Sequence, residues 1–136
     1  MSYPHPVRRN TQQREAIRAA LARAGRPLSP AEIHRAASNR VPGLGIATVY
    51  RNLRSLAAEG WLREVELPGG GPIRYEVAGK GHHHHFHCRR CDRVFEVDDC
   101  PGDLRTLAPP GFRPESHEII LYGLCAGCAQ PEAAAR

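Results

Sequence analysis

Early in the chain, apolar residues recur at helical spacing and break at recognisable stops. Ile17, Ala20, Leu21 and Ala24 share one face, which predicts a helix with Thr11 as N-cap and Gly25 as stop. In "SPAEIHRAA", Ser29 reads as an N-cap, Pro30 takes the first helical position, and Glu32 completes a capping box. This second helix is short and ends near Asn39. After the turn "RVPGLG", the stretch "IATVYRNLRSLAAEG" gathers Val49, Leu53, Leu56 and Ala57 on one side. Its other side presents Thr48, Tyr50, Arg51, Arg54 and Ser55, a polar and basic face with one aromatic ring. "WLREVEL" and "IRYEV" then alternate as two strands around "PGGGP", predicting a hairpin. Helix, helix, turn, helix and hairpin in that order is the layout of a winged helix-turn-helix. Its third helix can enter a major groove, which makes Tyr50 and Arg51 the leading base-reading candidates.

Beyond Gly79 the pattern changes from packing to ligand chemistry. "KGHHHHFHCRRCD" holds five histidines and two cysteines. The pair Cys88 and Cys91 is answered by Cys125 and Cys128, so two Cys-x-x-Cys knuckles can present four thiolates in a tetrahedron, the arrangement of a structural zinc. An iron–sulfur centre is the alternative for the same thiols. The 33 residues between Cys91 and Cys125 exceed the usual ribbon spacing of about 15–20, so a small subdomain is expected between the knuckles. In an extended strand successive side chains point to opposite faces, which sends His82 and His84 one way and His83 and His85 the other. One strand can thus feed two metal sites, with Glu76, Glu96, Asp103 and His117 as further donors nearby. An expression tag is a poor account of an internal run joined to a thiol pair.

Charge sharpens the division. Residues 1–79 carry 12 arginines against 6 acidic residues, whereas residues 80–136 carry 7 basic against 8 acidic residues. The net +5 of the chain therefore sits in the first half, which suggests a polyanion partner for that half alone. Five cysteines, an odd count, fit metal binding in a reducing compartment better than disulfides. No run of about twenty apolar residues spans a bilayer, and "MSYPHPVRR" lacks a secretory core, so a cytoplasmic location away from membranes is expected.

In its motifs the chain resembles the ferric uptake regulator (Fur) family of metal-dependent bacterial repressors along nearly its whole length. The matching stretches are "GLGIATVYRNLRSLAAEGWL", "HHHHFHCRRCDRVFE" and "SHEIILYGLCAGC". The resemblance implies an α+β fold: a winged-helix DNA-binding domain over 1–79, and a small α/β metal-binding dimerisation domain over 80–136 carrying the four-cysteine zinc. It implies a homodimer on double-stranded operator DNA, with Tyr50 and Arg51 as the base-contacting pair. It implies a regulatory site of His83 and His85 with Glu76 or Glu96, and a further site of His82, His84, Asp103 and His117.

Two departures from the family pattern bear on the sensed metal. Pro27 stands where iron-, manganese- and peroxide-sensing members carry a ligating histidine. Glu64 fits the acidic wing residue of zinc-sensing members, but the hinge "EVAGKG" has no cysteine. Cys100, the odd thiol, is either a replacement ligand or an inert side chain.

The expected function is a zinc-sensing repressor of metal-homeostasis genes, with iron(II), manganese(II) or peroxide sensing as alternatives. Phosphate contacts are expected from Arg8, Arg9 and Arg54, and Thr48 on the third helix is a further DNA-facing candidate. No organic small-molecule substrate is expected. A zinc hydrolase lacks a convincing general base or a phosphate-cradling glycine loop, and a metal buffer leaves the basic half unexplained.

Overall fold

The computed structural model describes the backbone of residues 6–130 and side chains from Arg9 onward. Of the tail "AQPEAAAR", expected to be disordered, residues 131–136 lie outside the described residues. The chain divides into two compact units, Met1–Gly79 and Lys80–Arg136.

The first unit opens with helix α1, Pro6–Ala24. It starts ahead of Thr11, the expected cap, because nothing in "VRRNT" breaks a helix and a proline in the first turn forfeits only an N–H without an intrahelical partner. Helix α2, Pro30–Ser38, carries the full capping box: Glu32 N–H donates to Ser29 Oγ at 3.2 Å and Ser29 N–H donates to Glu32 Oε1 at 3.1 Å. Helix α3, Ile46–Ala58, buries Val49, Leu53 and Leu56 against Ile17, Leu21 and Ile33. Strands β1, Leu62–Val65, and β2, Arg74–Val77, pair antiparallel. Leu28 and Tyr75 exchange backbone hydrogen bonds of 2.9 and 2.8 Å, tying the α1–α2 connection to the hairpin. The result is a winged helix-turn-helix with α3 seated on the core by one face.

The second unit is a sheet of order β4-β3-β5: β3 is His84–Cys88, β4 Val94–Val97 and β5 Ile120–Gly123. β3 lies in the middle, antiparallel to β4 and parallel to β5. Between β4 and β5 the only helical turn among the described residues is the 3-10 turn Arg105–Leu107. Pro101, Pro109, Pro110 and Pro114 remove backbone donors along that stretch and so prevent a longer helix.

Candidate metal centres and DNA-facing helix

The parallel pairing of β3 with β5 gathers both ligand groups of the second unit. At the far end of β3, Cys88 is in register with Gly123, so the chain leaving β5 delivers Cys125 and Cys128 to Cys88 and Cys91. At the near end, His85 is in register with Ile120, so the residues entering β5 bring His117 to the histidine run. One strand pairing thus determines which residues meet at each end.

The four cysteine sulfurs lie within 4.8 Å of one another. Cys91 Sγ and Cys125 Sγ are 3.8 Å apart, which matches the edge of about 3.8 Å implied by a tetrahedron with Zn–S of about 2.3 Å. The amides of Cys91 and Cys125 donate to Cys88 Sγ at 3.5 and 3.3 Å. The Cys91 amide bond, assisted by those from Cys125 and Arg90 against the opposing effect of burial, brings the Cys88 thiol down to about 6. Cys128 is pushed up to about 12, first by its hydrogen bond with Cys125, then by burial and the other two sulfurs. Four thiolates cannot coexist there without a countercharge, and a divalent ion supplies it. The donor set and its spacing fit zinc.

The second gathering is His82, His84, His117 and Cys100, also within 4.8 Å of one another. His82 and His84 rings stand 4.4 Å apart by centroid, and His82 Nε2 lies 3.2 Å from His117 Nε2. His84 is buried, and burial followed by the adjacent imidazoles lowers its pKa, favouring the neutral ring that metals bind. Ile119 N–H donates to His84 Nδ1 at 3.1 Å, which places the neutral ring's proton on Nε2. Asp103, named for this site by resemblance, is turned to Arg105, accepting from its backbone N–H at 2.9 Å and from its guanidinium at 2.7 Å. Cys100 stands in the cluster instead.

On the strand's other face, His83 and His85 rings lie 5.1 Å apart. Glu96 is the cross-strand partner of His85, and its carboxylate accepts from Lys80 Nζ at 2.8 Å. In the first unit, Glu76 is buried and accepts from Arg63 Nη2 at 2.7 Å, while Glu64 is exposed opposite Tyr75. His87, the fifth ring of the run, is bound to Asp92 Oδ1 at 2.6 Å.

Helix α3 exposes Tyr50, Arg51 and Arg54, and Arg51 Nη2 donates to Thr48 Oγ1 at 2.9 Å. Thr48, Arg51 and Asn52 line a polar cleft with Asn10, Thr11 and Arg14 of α1. Arg9 is exposed, and the side chain of Arg8 lies outside the described residues.

A family model described as the ferric uptake regulator family matches residues 7–122. The chain belongs to the ferric uptake regulator family. It is 31% identical over 127 residues to the ferric uptake regulation protein of Helicobacter pylori, covering 91% of this chain and 84% of that protein. The solved structure of the Helicobacter pylori ferric uptake regulator, described as revealing three functional metal binding sites, matches with a TM-score of 0.69 at 30% identity. That match covers 89% of this chain and 82% of the other. FurB of M. tuberculosis, a zinc uptake regulator, matches at 33% identity and a TM-score of 0.50 over 88% of this chain and 95% of its own.

As a member of the Fur family, the chain is a metal-responsive, DNA-binding transcriptional regulator that acts as a dimer and is not an enzyme. Its winged helix-turn-helix and dimerisation domains are those of the family, with zinc as structural cofactor and zinc, iron or manganese as regulatory ion. No helix of the described residues is long and apolar enough to cross a membrane. Cys100 and its approach to the histidines were not assignable from spacing alone. The one available signal was its status as the thiol left over from two complete knuckles.

Proposed function

We propose that this Fur-family member is a zinc-responsive repressor of metal-homeostasis genes acting in the cytoplasm. In this reading residues 1–79 bind operator DNA and residues 80–136 bind metal and dimerise. The observation that carries the zinc assignment is the diversion of carboxylates. Glu96 is engaged by Lys80 and Asp103 by Arg105, so the histidine-bearing strand offers mainly nitrogen and sulfur donors. Such a set suits zinc, whereas manganese(II) is served better by oxygen. Pro27 in place of the histidine of iron- and peroxide-sensing members points the same way.

His83 and His85 serve as regulatory ligands, with Glu76 or Glu64 as the acidic partner. Metal bound at this site favours the DNA-competent state of the dimer. DNA binding then has less ordering left to do, so apparent operator affinity rises. By linkage, operator DNA tightens metal binding by the same factor. Tyr50 and Arg51 read bases, with Thr48 orienting Arg51, while Arg8, Arg9 and Arg54 contact phosphates.

The test is restoration of operator binding to chelator-treated dimer by added metals. Zinc at buffered low concentration should restore it. Restoration by iron(II) or manganese(II) with none by zinc would transfer the protein to the iron or manganese branch. Equal metal affinity with and without operator would remove the linkage scheme.

A further inference from the structure

We infer that Cys100 is a metal ligand, and that with His82, His84 and His117 it forms a closed three-nitrogen, one-sulfur tetrahedral site for zinc. The distances among the donor atoms carry the assignment. Cys100 Sγ lies 3.4 Å from His84 Nε2, 3.5 Å from His82 Nε2 and 3.2 Å from His117 Nε2. His82 Nε2 and His117 Nε2 are 3.2 Å apart. For a tetrahedral zinc with Zn–N of about 2.0–2.1 Å and Zn–S of about 2.3 Å, the edges come to about 3.3 Å for N···N and about 3.5–3.6 Å for N···S. Four of the six edges are therefore already within a few tenths of an ångström of a metal-sized tetrahedron.

The alternatives for these atoms are weaker. A thiol buttressing imidazoles through ordinary hydrogen bonds needs to approach one ring, not three. Asp103 is held by Arg105 through both side chain and backbone, so the carboxylate nearest in sequence is occupied elsewhere. Gly102 O lies 3.9 Å from Cys100 Sγ, too far to fix a thiol proton firmly. His84 bears the main cost of loading: binding through Nε2 moves its proton to Nδ1 and gives up the Ile119 bond.

Two chemical consequences follow. Four protein donors leave no open position for water, so the site holds an ion without hydrolytic chemistry. A thiolate beside three neutral imidazoles selects a borderline-soft tetrahedral ion, zinc or its spectroscopic substitute cobalt(II), over manganese(II). This inference does not depend on which ion the regulator senses.

The experiment uses the full-length reduced dimer with zinc retained in the four-thiolate site, verified by metal analysis before and after cobalt(II) is added. Cobalt should then produce a near-ultraviolet sulfur-to-cobalt charge-transfer band, because His83, His85 and the acidic residues contribute no sulfur. Cys100→Ser should abolish that band while leaving the structural zinc and the dimer intact, and should weaken zinc binding at the site by at least about tenfold. Cys100→Asp should bind cobalt again without the band. Absence of the band in the unaltered protein, its persistence in Cys100→Ser, or unchanged zinc affinity in Cys100→Ser would each overturn the assignment.

Discussion

Arg51 shows how a single side chain is prepared for its partner. Its guanidinium is held by Thr48 one turn back on α3, so part of its rotamer freedom is lost before DNA arrives. Arg51→Ala should cost about 1–3 kcal/mol of operator binding and relax preference at one base pair. Fluorescence anisotropy with single-substituted operators measures this, and a uniform loss over all sequences would make Arg51 a phosphate contact. The thiols illustrate a different residue-scale effect. Cys91 and Cys128 are held above the ordinary thiol range, so zinc loading at neutral pH must expel their protons, whereas Cys88, near 6, is already largely ionised. Calorimetric titration in buffers of different ionisation enthalpy should register that release, and zinc affinity should fall as pH is lowered.

At the scale of elements, the start of α2 rests on a reciprocal pair of hydrogen bonds and an ion pair. Ser29→Ala should destabilise the first unit by about 1 kcal/mol, seen as a lowered urea midpoint. Arg26 Nη2 donates to Glu32 Oε2 at 2.5 Å. Burial alone would raise the Glu32 carboxyl, but Arg26 and Ser29 outweigh it and leave the pKa lowered. The sign follows: this stability is complete above the ordinary glutamate range and disappears as pH falls through the depressed folded value. Glu32→Gln should flatten that acid limb of the stability curve. The α2 boundary was legible because Ser29, Pro30 and Glu32 act through local geometry. The beginning of α1 was not, since Thr11 is a plausible cap in isolation but is overruled when the preceding residues also accept helical geometry. In the second unit, strand alternation was enough to sort His82 with His84 and His83 with His85. The sequence did not show Cys100 displacing Asp103, because the intervening proline-rich loop has no periodicity and its path depends on long-range packing.

For the whole molecule, zinc held by the four cysteines would be the staple of a unit whose sheet has three short strands among the described residues. Cys91→Ser should unfold that half or dissociate the dimer, as read by circular dichroism and sedimentation, because structural zinc contributes folding free energy directly. A well-folded dimeric variant would remove the cysteines from that role. The first unit, with its own apolar core of helices and hairpin, should survive the same change.

Because β5 runs alongside β3 in the same direction, it is moored at both ends, by His117 before it and Cys125 after it. An ion at either end would hold the strand there, so ions bound at both sites would share one mechanical support. Amide exchange along Ile120–Gly123 should therefore accelerate when the histidine–cysteine site is emptied, even while zinc stays in the four-cysteine site.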